Sequence, residues 1–257
     1  TLLIVLKKHF KTNNTTPSNT IIYEALESAF LHKAQYSVIE MSSEGILNNR
    51  GLFLEFDGLI FTNISHEHLN THKTMKKYLN CKLSLNKCLK PNSLILINHD
   101  MNYYNYVRKK LHGHITTFGI NGGDFMAKNI HLSINKTSFD VYYKGYYLGQ
   151  IITNLFGEYN IYNLLAVIGY LYELGISFSQ IKKSLSQNLK IAGRFEFFKE
   201  NKIYSQVSSI VEKGNNTLTD EVVENFLPAN KIIIYYNVIR YILLHAAGFF
   251  QQGLKGC

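Results

Sequence analysis

The sequence predicts an α/β fold: a mostly parallel sheet flanked by helices, with a small antiparallel β subdomain. Three observations carry this. Short apolar runs, at residues 58–63 and 93–98, alternate with segments whose apolar residues recur at helical spacing. Each of these runs ends in polar residues, and the C-terminal edge of the strands is where open α/β sheets bind ligands. Between residues 115 and 155, Gly122-Gly123 and Lys144-Gly145 separate alternating runs such as Phe139-Asp140-Val141-Tyr142-Tyr143, a hairpin pattern.

In chain order, residues 2–10 read as a short helix with a basic end. Asn13-Asn14-Thr15-Thr16-Pro17 reads as a polar loop. Ile21, Ile22, Ala25, Leu26, Ala29 and Phe30 predict a helix over 20–32. Residues 35–40 read as a strand ending in the acid Glu40, and 58–63 as a second, buried one. A helix is predicted over 75–89, then a strand over 93–98 that ends at His99-Asp100. After the hairpins come helices at 160–174 and 179–189, and Ala192-Gly193-Arg194-Phe195-Glu196 turns into a further strand. From residue 201 the pattern fades, and no internal repeat is present.

A chain of 257 residues holds one large domain or two small ones. A hydrophobic content of 46% with 18% charged residues fits a globular protein. The net charge of +9 attracts anions. The lysines look scattered, with only short pairs such as Lys7-Lys8, Lys76-Lys77 and Lys109-Lys110, and no nucleic-acid-binding motif accompanies them. The expectation is a solvated basic face and no nucleic-acid partner. Residues 232–250 approach membrane length but contain Asn237, Arg240 and His245, so no membrane partner is expected. Cys81, Cys88 and Cys257 form no CxxC pair and leave an odd count, which fits a reducing, cytoplasmic setting. The motif histidines lack Cys partners at ligand spacing, so no structural zinc is expected. The chain is expected to be a monomer.

The chemistry-bearing residues lie at predicted strand ends. Glu40, beside Met41-Ser42-Ser43, suits Mg2+, which takes hard oxygen ligands. It equally suits the N-terminus of a helix, where the dipole favours an acid. His66, His68 and His72 cluster after Phe61-Thr62-Asn63-Ile64-Ser65; His68 and His72 share a face at helical spacing, as metal ligands or as surface histidines. Lys82, taken alone, reads as a solvated lysine.

Taken together and in order, these segments resemble the Mur ligase family, and within it the tripeptide-synthetase branch. The resemblance implies a P-loop-NTPase-like central domain over residues 1–198 and the divergent or truncated start of a C-terminal domain over 199–257. It implies an ATP-dependent ligase that adds an amino acid to a UDP-N-acetylmuramoyl-peptide in peptidoglycan synthesis. Glu40, His68 and Lys82 correspond to the family's Mg2+-holding and catalytic residues, with Lys82 at the lysine the family carbamylates. Asn63 lies in the segment beside the ATP phosphates. Thr15 and Thr16, with Ser42, Ser43 and Arg50, match contacts to the UDP-muramoyl substrate. Asn98 and Asp100 match a family strand end. Asn160 and Asn163, in Gly157-Glu158-Tyr159-Asn160-Ile161-Tyr162-Asn163, match the asparagines facing adenine; a helix cap is the competing reading for Asn160. Arg194 matches the hinge arginine near the nucleotide phosphates.

The sequence also departs from the family. No Gly-Lys-Ser/Thr phosphate loop occurs, so the chain is expected to begin just past it. Glu67 and Asn70 stand where the family has aspartates, and Asn49 where it has histidine. After Glu196 comes Ile203-Tyr204-Ser205-Gln206 rather than the family's opening to its amino-acid-selecting domain. Three other readings stay open: a ligase like folylpolyglutamate synthase, an inactive remnant or binding module, and nucleic-acid binding through the +9 charge, which predicts steep salt dependence.

Overall fold

Two short strands open the chain where a helix over 2–10 was expected. In this computed structural model, β1 (Leu2–Val5) pairs antiparallel with β2 (Lys8–Lys11), Leu2 opposite Lys11. The β-branched Ile4 and Val5 favour a strand, and a helix this short is marginal in water. The structure describes residues 2–5, 8–11, 14–32, 36–64, 69–133, 136–186, 196–200 and 203–207. The chain divides into two units: Thr1–Ile97 with Met101–Thr116, and Asn98–Asp100 with Thr117–Cys257.

In the first unit, α1 (Asn19–Leu31) follows Pro17 and buries Ile22 and Ala29. Residues 36–40, expected as a strand, have no ladder pairing. Alternation sets which way side chains point, but a strand also needs a neighbour's N–H and C=O groups. The short helix α2 (Ser43–Leu47) is capped by the Ser42 hydroxyl, which accepts from Gly45 N at 3.0 Å. Then come β3 (Phe56–Phe61), α3 (Leu69–His72) and α4 (Met75–Leu83), capped by Thr74.

The helix expected over 75–89 tightens into a 3-10 turn at Ser84–Cys88. There the Ser84 hydroxyl donates to the Cys81 carbonyl at 2.7 Å, the local side-chain bonding that disturbs an α-helical ladder. Strand β4 (Leu89–Asn98) starts four residues before its predicted onset. Helix α5 (Tyr104–Lys110) escapes sequence reading because it buries only Val107 and so shows no apolar period. β5 (His114–Gly119) follows. Phe61, Tyr78, Leu79, Ile95, Ile97 and Val107 belong to the core beneath these elements.

The second unit holds the expected hairpins, β6 (Phe125–Ser133), β7 (Lys136–Tyr143) and β8 (Tyr146–Thr153), antiparallel to one another. They continue one six-stranded sheet of order β3-β4-β5-β6-β7-β8, in which β3–β4 and β5–β6 are parallel. Helix α6 (Glu158–Glu173) is buried on most of its surface, from Tyr159 to Leu171, as its near-continuous apolar sequence requires. Its cap, Gly157, has φ +95°, and a Cβ there would lie 2.5 Å from the Tyr159 ring, so glycine is needed. Helix α7 (Phe178–Leu185) starts with a capping box between Ser177 and Gln180. β9 (Glu196–Glu200) and β10 (Ile203–Val207) form a hairpin. Among the described residues no helix is long and apolar enough to cross a membrane. The stretch 232–250 lies outside them.

Candidate functional site

In the first unit, the loop before α1 meets the N-terminus of α2. Thr16 is fully buried; its hydroxyl donates to the Glu40 carbonyl at 2.9 Å and accepts from Ser42 N at 2.8 Å. The Ser42 hydroxyl lies 3.2 Å from it. Arg50 donates from Nη1 to the Thr16 carbonyl at 2.6 Å. A Cβ at Gly45 would stand 2.7 Å from the Thr16 side chain, so α2 must present a glycine there. Thr16, Glu40, Ser42 and Arg50, up to 34 residues apart, thus share one hydrogen-bonded junction. Thr15 sits beside it, exposed.

Helix α4 joins this junction through Cys81, whose thiol donates to the Ser43 carbonyl at 3.4 Å. Burial pushes the Cys81 thiol up, against the opposing pull of the Lys82 charge. The thiol therefore stays protonated near neutrality and remains a donor. Lys82 is buried, with Nζ 5.4 Å from the centre of the Tyr78 ring, one helical turn back. The Tyr78 ring lies 5.1 Å from that of buried His72. Lys82 is thus a buried group and not the solvated lysine its sequence context suggests.

Glu40 is buried too. Asn63 turns back on the chain, its Oδ1 accepting from Ile64 N at 2.8 Å. Two hydroxyls in this unit, Ser43 Oγ and Thr62 Oγ1, are buried without a hydrogen-bond partner among the described residues. Unpaired buried hydroxyls cost stability and mark places where a polar ligand would be stabilised.

A second cluster lies wholly in the other unit. Asp100, just past β4, accepts through Oδ2 from Ile120 N at 2.6 Å, Asn121 N at 2.8 Å and the Tyr162 hydroxyl at 3.1 Å. Its Oδ1 lies 3.2 Å from His99 Nδ1, and Asn98 accepts from Asp100 N at 2.9 Å. Burial by itself would raise the Asp100 carboxyl. The bonds from Asn121, Ile120, His99 and Tyr162 together outweigh it and hold the carboxyl below its ordinary range. Tyr162 lies on α6 between Asn160 and Asn163. Asn160 donates to the Phe156 carbonyl at 2.7 Å and accepts from Asn163 at 3.4 Å. Gly157, not Asn160, is the N-cap of α6. Asn163 Oδ1 is buried without a partner among the described residues, an acceptor suited to an exocyclic amine such as that of adenine.

His66, His68 and Arg194 lie outside the described residues. Among those described, no group of three His, Cys, Asp or Glu side chains is arranged to hold a metal. Glu40 and Lys82 are two of the three expected holders. Sequence reading did not single out Tyr78, Cys81, Thr62 or Tyr162. The one available signal was spacing: Tyr78 precedes Lys82 by one helical turn, and Tyr162 falls between the paired asparagines.

Known proteins resemble this chain in sequence and in fold. A profile of the Mur ligase middle domain matches residues 1–171. The chain is 34% identical over 195 residues to a UDP-N-acetylmuramoyl-L-alanyl-D-glutamate–2,6-diaminopimelate ligase of Clostridium botulinum, covering 76% of this chain and 40% of that protein. It is 32% identical over 202 residues to a UDP-N-acetylmuramyl-tripeptide synthetase of Oceanobacillus iheyensis, covering 74% and 40%. The chain thus spans about 40% of the length of these relatives. Among solved structures, a diaminopimelate ligase aligns with TM-score 0.65 at 19% identity over 78% of this chain and 43% of that one. A MurF ligase from Thermotoga maritima in complex with ADP aligns with TM-score 0.54 at 20% identity, over 72% and 44%. At these identities the structural likeness speaks to the fold alone. The matched profile and the relatives above 30% identity go further, and this chain belongs to the Mur ligase family.

Proposed function

We propose that this chain is the nucleotide-binding and metal-binding part of an ATP-dependent ligase that adds an amino acid to a UDP-N-acetylmuramoyl-peptide, with residues 1–198 as its central domain. The observation that carries the reading is the junction of Thr16, Glu40, Ser42 and Arg50, tied through Ser43 and Cys81 to the helix bearing buried Lys82. Its substrate residues and its metal residues were both expected from the resemblance, and they converge in one unit. Asn163 Oδ1 supports an adenine contact. Glu40 and His68, with Lys82 once its amine carries a carbamate, would hold Mg2+, which would supply charge neutralisation for phosphoryl transfer.

In this reaction a substrate carboxylate attacks the γ-phosphoryl group and releases ADP. The amine of the incoming amino acid then displaces phosphate to form the amide. The protein's own contribution is positioning and charge. Arg50 and the Thr16 loop orient the muramoyl-peptide. Glu40 and Lys82 are both buried, which shields them from water.

The test is ADP release by the full-length gene product with UDP-muramoyl-dipeptide and candidate amino acids. Lys82→Ala is expected to lower turnover by about a hundredfold or more. Unchanged turnover would overturn the role of Lys82. A second reading, a non-catalytic relative, is favoured by Asn70, which stands where the family carries an acid. Nucleotide binding without ADP release would favour it.

A further inference from the structure

The net charge of the chain sits almost entirely in one stretch. Residues 69–116 hold nine Lys and Arg against one acid, Asp100, whereas the rest of the chain holds eighteen against seventeen. The short lysine pairs that look scattered in sequence are therefore concentrated. Lys82 is buried and Lys90 pairs with Asp57 at 2.6 Å. The other seven, among them Lys76 and Lys77 on α4, Lys87, and Arg108, Lys109 and Lys110 on α5, are exposed and have no ion pair among the described residues.

Within the first unit, α4 and α5, which carry five of these residues, pack on one core. Tyr78, Leu79 and Leu83 of α4 and Val107 of α5 enter the same core, which turns the charged sides of both helices outward. The Tyr106 hydroxyl donates to Asn80 Oδ1 at 3.1 Å, joining the two helices. Asn86 Oδ1 accepts from His112 N at 3.2 Å, joining the 3-10 turn to the segment after α5. Two tyrosines stand among the charges, Tyr103 40% and Tyr106 38% exposed. Tyr103 holds a left-handed backbone, φ +65°, a conformation that costs energy for a bulky side chain.

We propose that this face binds single-stranded nucleic acid. Unpaired cations release counterions when they meet phosphates, and exposed aromatic rings stack on bases irrespective of sequence. An anionic membrane would be drawn by the same charge. However, α4 and α5 expose no Leu, Ile or Phe to enter a bilayer, so the tyrosines and amides favour bases over lipid.

The experiment is fluorescence anisotropy of a labelled oligouridylate with the 257-residue chain, run beside cosedimentation with phosphatidylserine–phosphatidylcholine vesicles. Binding is expected at about 50 mM salt, weakening on a log–log plot with a slope no steeper than about −5, the limit for seven cations on a single strand. Reversing the charge of α5 with Arg108→Glu, Lys109→Glu and Lys110→Glu together is expected to weaken binding by about tenfold or more. Tyr103→Ala, which removes the ring, is expected to weaken it by about fivefold. A circular dichroism melt establishes that each variant is folded. Absence of oligonucleotide binding, binding unchanged in the charge-reversed protein, or vesicle binding without oligonucleotide binding would each overturn the proposal.

Discussion

Phe53 shows what a single residue contributes when its backbone and its side chain disagree. It is 89% exposed, so its ring adds almost nothing to a core, yet it sits at φ +66°. The loop around it is held from outside, by Asn19 bonding to Gly51 N and the Asn49 carbonyl and by Tyr23 bonding to the Leu52 carbonyl. Phe53→Gly is therefore expected to stabilise the protein by about 1 kcal/mol, read as a higher urea midpoint. An unchanged or lower midpoint would mean that the ring makes contacts worth as much as the strain. Asp100 is the opposite case, a side chain satisfied on every side. Its folded pKa is depressed, so the stability it contributes is fully present above its unfolded value of about 3.9 and is lost as pH falls through the lower folded value. Asp100→Asn puts an NH2 group or a weaker acceptor before two backbone N–H groups. It is expected to cost about 1–3 kcal/mol at neutral pH and to flatten the stability–pH curve in the acid range. A melt series from neutral to acid pH on both proteins reads the two effects.

At the scale of elements, caps and close approaches decide where helices and loops end. α4 carries Lys82 because Thr74 starts it and Ser84 stops it, and its apolar side enters the core while Lys76 and Lys77 stay out. The turn after β5 depends on a different constraint. A Cβ at Gly119 would lie 2.4 Å from the Gly122 carbonyl oxygen and 2.9 Å from the Asp100 carboxylate. Gly145 in the β7–β8 turn has open space around it and only a φ of +87° to satisfy. Gly119→Ala is thus expected to destabilise by about 1–3 kcal/mol through overpacking, and Gly145→Ala by about 1 kcal/mol through backbone strain alone. Equal midpoints for the two variants would show that the Gly119 turn yields without cost. Helix α5 and the strands β1 and β2 mark the limit of periodicity as a signal. One buried residue in seven, or four-residue strands, offer too few repeats for a period to register.

On the whole-molecule scale, seven exposed like charges lie within residues 69–116, with no ion pair among the described residues. Their mutual repulsion opposes the folded state and is screened by salt. The urea midpoint is expected to rise between about 10 and 200 mM NaCl, and to rise less in the Arg108→Glu, Lys109→Glu, Lys110→Glu protein. A midpoint indifferent to salt would show that this repulsion is negligible. The same scale explains why the site was only partly legible. Thr16, Ser42, Ser43, Arg50, Asn160 and Asn163 were read from ordered motifs, and the structure brings the first four to one junction. What joins them, a main-chain carbonyl of Glu40 and a thiol from Cys81, carries no motif at all.

The sequence by itself determined the α/β class, the hairpins between residues 115 and 155, the apolar length of α6 and the family, because each is written in local periodicity or in ordered motifs. Only the tertiary structure decided that residues 2–5 and 8–11 pair as strands, that 36–40 do not, that Lys82 is buried and that Asp100 ties a loop to α6. Those outcomes depend on which backbone groups, rings and carboxylates meet across tens of residues. A one-dimensional pattern holds no record of such partners.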